Sequence, residues 1–140
     1  MILVKQVGVY VNILNCRLKK YLAEVFKKNG VNLTAEQYLV MDTLWNEGTL
    51  TQQAIAFIIQ KDKNSVTQFI DNLEKKGLVT RSVAKDDRRV NNIMLTEEGM
   101  ALKDSTKKLA INTMEKALEG IPEQDVLTFV DVLKKVCANI

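Results

Sequence analysis

From Ile2 to Lys28 the apolar residues Val4, Val7, Val11, Leu14, Leu18, Leu22 and Val25 recur every three or four positions. That spacing predicts one long helix with a continuous apolar stripe, and Asn29-Gly30 supplies its stop. A stripe of this length needs covering. Packing within the chain and a surface shared with a second copy are both open at this point. Thr34-Ala35-Glu36-Gln37 has the spacing of a capping box. The helix it opens carries Tyr38, Leu39, Met41, Leu44 and Trp45, with its aromatic residues read as core, and ends near Gly48. Thr51 then caps a short helix with Ala54, Ile55, Ile58 and Ile59 facing inward, stopping around Gln60-Lys61.

The next segment is the most informative. Asp62 is a good N-cap, and Val66, Phe69, Ile70 and Leu73 fall at i, i+3, i+4 and i+7 of a helix running to Lys76. Two capped helices joined this tightly predict a helix-turn-helix. At about 100° per residue the opposite face carries Asn64, Gln68, Asp71 and Lys75, with Thr67 at its edge. Lys75-Lys76-Gly77 places cations at the negative end of the helix and then a glycine stop. Two strand-like runs follow, Leu78 to Val83 and Val90 to Leu95, separated by the charged tip Lys85-Asp86-Asp87-Arg88-Arg89. A helix followed by a basic-tipped hairpin is the outline of a winged helix. Thr96-Glu97-Glu98 opens a long helix containing Leu102, Leu109, Met114 and Leu118 and ending by Gly120. Pro122 fits the first position of a last helix, whose broad apolar face is Val126, Phe129, Val130, Leu133, Val136 and Cys137. The fold expected is mostly helical with a small β-hairpin wing.

Charge adds to this picture by its distribution. The net charge of +3 is small, but residues 1–60 balance at +2, residues 61–89 at +3 and residues 90–140 at −2. The positive excess is densest where the helix and hairpin lie, which suits a polyanionic partner. Asn64 and Gln68 can pair with adenine in a major groove, and Thr67 can meet a thymine methyl or a phosphate. Lys63 and Ser65 sit in the first turn, where free N–H groups favour phosphate. Lys85, Arg88 and Arg89 suit a minor groove, with Asp86 and Asp87 fixing the arginines. The DNA-binding candidates are therefore Lys63, Asn64, Ser65, Thr67 and Gln68 on the helix, and Lys85, Asp87, Arg88 and Arg89 on the wing. A plain solvated helix face and an ordinary charged turn are the competing explanations, and the helix face alone does not defeat them.

Several classes are excluded. The chain has no histidine, so Ser-His and Cys-His catalytic pairs are impossible, and no phosphate-binding glycine loop is present. Two distant cysteines without histidine argue against a zinc site. No enzyme activity, metal or cofactor is expected. With no signal-peptide pattern and no apolar run of membrane-spanning length, a cytoplasmic location is expected. A length of 140 residues suits one domain.

The runs Leu50-Thr51-Gln52, Asp62-Lys63-Asn64-Ser65-Val66-Thr67, Leu73-Glu74-Lys75-Lys76-Gly77-Leu78-Val79-Thr80-Arg81, Asp87-Arg88-Arg89 and Leu95-Thr96-Glu97-Glu98-Gly99 together resemble the MarR family of bacterial transcription regulators. The resemblance covers essentially the whole chain. It implies a triangular homodimer whose base is residues 1–30 and 100–140, and a winged helix-turn-helix lobe over 34–99. The two lobes would contact successive major grooves of a pseudo-palindrome. By position Ser65, Thr67 and Gln68 match the family's recognition-helix contacts, and Asp87 and Arg89 its wing pair. Two departures stand out. Gln68 occupies a position that is often arginine, which leans preference from guanine towards adenine. Lys85 also replaces the usual proline before the acidic residue. The resemblance further implies a repressor, and in many members a small aromatic or phenolic effector held between dimer base and DNA lobe. Some members sense oxidants through a cysteine whose position falls near Tyr10 here, not at Cys16. Cys16 and Cys137 are therefore expected to be small buried or half-buried apolar residues, with a cross-subunit disulfide between the two base helices as the alternative. The alternative function is a winged-helix protein-interaction module, an anti-regulator without DNA binding. Asp71 and the small net charge motivate it.

Overall fold

The computed structural model describes residues 1–83 and 90–140. Helix α1 spans Leu3–Lys28, α2 Ala35–Glu47, α3 Gln52–Ile59 and α4 Lys63–Lys75. Strand β1 (Leu50–Thr51) precedes α3, and β2 (Val79–Val83) and β3 (Asn91–Leu95) follow α4. The chain closes with α5 (Glu97–Ala101), α6 (Lys103–Ala117) and α7 (Glu123–Ala138). Mostly helical with a small sheet, it is a winged helix-turn-helix extended by helices at both ends.

Local chemistry sets the boundaries of these helices. The Thr34 hydroxyl accepts from Gln37 N, and Gln37 Oε1 accepts from Thr34 N, both at 3.1 Å, closing the capping box. Thr51, Asp62 and Thr96 each cap the helix that follows by accepting from an N–H three residues on. α4 ends where Gly77 turns to φ +76°, and Leu78 N returns to Leu73 O at 3.0 Å.

The core gathers the last turn of α1 with α2, α3, α4 and the sheet. Phe26, Val40, Met41, Leu44, Ile55, Val66, Ile70, Leu73, Val79 and Ile93 are all buried within it. The sheet order is β1-β3-β2, antiparallel throughout. Leu50 pairs with Ile93, and Val79 with Leu95. The two-residue β1 was not expected. Its residues read as the start of α3, and a strand so short has no alternation to detect.

Four further expectations are corrected. The helix opened by Thr96 is interrupted at Leu102, giving α5 and α6. Its first part is tied to the lobe: Trp45 Nε1 donates to Gly99 O at 3.0 Å, and a Cβ on Gly99 would collide with the Leu78 carbonyl oxygen. Pro122 is the N-cap of α7 rather than its first residue, with its carbonyl accepting from Asp125 N and Val126 N. Ile58 does not face inward; it is half-exposed on the flank of α3, beside an exposed Phe57. Cys16 and Cys137 are both exposed free thiols. They lie on α1 and α7; the outer half of α1 and the apolar face of α7 are left uncovered among the described residues.

Candidate nucleic-acid interface

Helix α4 is seated by Val66, Ile70 and Leu73, each with no exposed surface, while Lys63, Asn64 and Gln68 project outward. Burial of one narrow stripe therefore decides which side chains are offered to a partner. The five helix candidates divide under this geometry. Lys63, Asn64 and Gln68 are exposed. Ser65 and Thr67 are half-buried, and their hydroxyls are engaged within the protein.

Ser65 N and Ser65 Oγ both donate to the Asp62 carboxylate, at 2.8 and 2.7 Å. Those two bonds, the backbone one foremost, hold the Asp62 carboxyl below its usual range. Thr67 Oγ1 donates to Lys63 O at 2.9 Å and accepts from Gln52 Nε2 of α3. Thr67 is thus a joint between the two helices of the helix-turn-helix. Its hydroxyl was a candidate for base contact by sequence; its bonds run to its own protein.

Sequence reasoning missed Arg81. From β2 its guanidinium reaches α4, with Nη2 2.6 Å from Asp71 Oδ1 and Nη1 3.0 Å from Glu74 Oε1. Nη2 also donates to Thr67 O at 3.4 Å. Asp71, read from sequence as an unfavourable charge on the DNA-facing side, is therefore ion-paired. No periodicity signals this, because it depends on how a strand packs against a helix ten residues away.

Lys76, at the end of α4, was read only as a helix-stop cation. Its ammonium donates to Asn32 O at 2.8 Å and to Gln37 Oε1 at 2.7 Å, tying α4 to the capping box of α2. Burial holds its pKa below the usual lysine value.

A groove of about 330 Å³ runs between α3, the first turn of α4 and the start of β3, lined by Gln52, Gln53, Lys63 and Asn91 together with Ala56 and Val90. The wing candidates Lys85, Asp87, Arg88 and Arg89 lie outside the described residues.

A second concavity, about 450 Å³ and almost wholly apolar, opens on the other side of the lobe between α1, α2 and α6. Leu18, Leu22, Tyr38, Leu39, Met114 and Leu118 are among the residues that line it. Tyr38, expected to be core, is half-buried and lines it. The Tyr38 ring meets Phe26 edge-on at 5.4 Å, and burial with nearby Asp42 pushes its hydroxyl up to about 12. The neutral hydroxyl is held by Asp42 on the same helix. Among the described residues no group of side chains could hold a metal ion, and no helix is long and apolar enough to cross a membrane.

The buried helix-turn-helix, the sheet behind it and the exposed polar face of α4 define a protein of the winged-helix regulator class. Comparison with known proteins places it more narrowly. The family model described as "MarR family" matches residues 33–90. The HTH-type transcriptional regulator SarZ of Staphylococcus haemolyticus is 30% identical over 122 residues, which are 87% of this chain and 80% of that one. The organic hydroperoxide resistance transcriptional regulator of Bacillus subtilis is 35% identical over 74 residues. That match covers 53% of this chain and only 50% of the relative. Among solved structures, a mutant MarR from E. coli complexed with operator DNA superposes with a TM-score of 0.85 at 22% identity, over 97% of this chain and 99% of that one. The chain belongs to the MarR family of transcription regulators.

Proposed function

We propose that this chain binds double-stranded DNA sequence-specifically, as a homodimer on a pseudo-palindromic operator, and represses transcription in response to a small ligand. The observation that carries the reading is α4: a helix locked by its buried stripe, with Lys63, Asn64 and Gln68 projecting and its acidic edge paired to Arg81. Gln68 and Asn64 read bases, Lys63 meets phosphate, and Ser65 and Thr67 hold the helix in shape for them. From the wing, Arg89 enters the minor groove beside Arg88, with Lys85 on phosphate and Asp87 steadying the arginines.

The homodimer is supported by apolar surface on α7 and the outer half of α1 that is left uncovered among the described residues. The dimer base then comprises residues 1–30 and 100–140, and the DNA lobe residues 34–99. The apolar cavity beside Tyr38 suits a small aromatic effector. E. coli MarR, of the same fold, has been captured on operator DNA. Asp71 no longer favours the interaction-module alternative, since its charge is met by Arg81.

The test is selection of duplex fragments from the source genome by the purified chain, followed by anisotropy on the recovered sequence. Half-sites about one helical turn apart are expected, with affinity falling steeply as salt rises. Recovery of no shared sequence would refute the reading.

A further inference from the structure

We propose that Arg81 is a positioning residue for DNA recognition, and that Asp71 and Glu74, although acidic, favour operator binding by holding its guanidinium. The inference rests on the DNA-binding reading above and adds residues that need not touch DNA.

The geometry is that of a clasp. Asp71 and Glu74 sit one turn apart on the same flank of α4 and take the two terminal nitrogens of Arg81, one each. The weaker bond to Thr67 O extends the grip a further turn towards the start of the helix. Arg81 therefore spans two turns of α4 from a fixed place on β2, where it pairs with the fully buried Ile93 of β3. Residues directly opposite in an antiparallel pair point to the same face, so the Arg81 stem leaves the sheet on the core side. Its side chain is 19% exposed, against 50% and 44% for the two acids, so the cation is the sheltered partner.

Thr67 joins the same cluster from the other side by accepting from Gln52 of α3. Three elements meet there: the helix that precedes the recognition helix, the recognition helix itself, and the strand that leads into residues 84–89. A planar five-donor fork suits such a joint because it holds two carboxylates at once, which an ammonium does with less geometric control. What the clasp fixes is the direction in which β2 departs from α4. That direction sets how the base-reading side chains of α4 stand relative to β2.

Charge counting and positioning predict opposite outcomes for one variant. Replacing Asp71 and Glu74 by D71N/E74Q removes two negative charges beside the DNA. If charge alone matters, binding tightens to every duplex. If the clasp matters, binding to the selected operator weakens about tenfold, within the range for residues that act without contacting ligand, while binding to a scrambled duplex of equal length holds or tightens. The expected signature is thus a fall in the ratio of operator to scrambled affinity. R81M should show the same fall, and R81K a smaller one.

The measurement is anisotropy on the duplex recovered by wild-type protein and on its scrambled counterpart, with thermal melting of each variant alongside. The two acids are half-exposed, so D71N/E74Q decides the matter even if R81M fails to fold. Tighter binding of D71N/E74Q to both duplexes, or an unchanged ratio, overturns the proposal while leaving DNA binding intact. A wild-type chain that does not distinguish the two duplexes overturns the functional reading and this proposal with it.

Discussion

The winged lobe and the terminal helices use similar apolar residues to opposite ends. In the lobe, Phe26, Met41, Leu44, Ile55, Ile70, Leu73 and Ile93 are all buried, and α2, α3, α4 and α5 each have a capping hydroxyl or carboxylate. α7 buries none of its residues. Phe129, Val130, Leu133 and Val136 lie along one face of it, each between 37% and 46% exposed. The first turns of α1 are barer still, with Leu3 at 77% and Val4 at 81%. An isolated helix of this length is marginal in water unless an apolar face is covered. The lobe is finished within one chain. The terminal helices leave apolar surface uncovered among the described residues, and we propose that a second copy covers it.

That contrast can be broken most forcefully at α7. V130D/L133D should abolish association in sedimentation and weaken operator binding by more than about a hundredfold, because two linked binding events become separate ones. An unchanged sedimentation coefficient would sink the proposed pairing. I70A should act on the other region, costing roughly 2–5 kcal/mol in urea unfolding of the lobe. The refolded fraction should still associate, and failure to do so would mean that the regions are not separable. Q68A should leave both fold and association intact and shift preference at one base pair by roughly 1–3 kcal/mol, read from binding to single-substitution duplexes. T34A is the smallest change, at about 1 kcal/mol in thermal unfolding for a lost N-cap. A loss several times larger would show that the Gln37–Lys76 contact depends on the capping box as well.

The two regions also differed in how far the sequence revealed them. Thr34, Thr51, Asp62 and Thr96 announced their helices because capping is settled within four residues, and the buried stripe Val66–Ile70–Leu73 followed from spacing alone. The break at Leu102 was hidden. It follows from Trp45 holding Gly99 and from Gly99 lying against Leu78, contacts between residues far apart in the chain. Arg81 was hidden for the same reason. Its place in the hairpin was visible, but its reach onto Asp71 and Glu74 needs the packing of β2 on α4. Ser65 and Thr67 were legible as helix positions, but their bonds to Asp62, Lys63 and Gln52 were not. A hydroxyl in a helix has neighbouring backbone and capping groups within reach before any ligand arrives.

Trp45 is the chain's single tryptophan: its ring is buried in the lobe and its N–H holds the carbonyl of Gly99 in α5, the short helix before α6 and α7. Indole emission responds to the loss of such a bond and to entry of water. The protein therefore carries a label-free optical gauge of that contact, and loosening of α5 from the lobe can be followed by its fluorescence without attaching a dye.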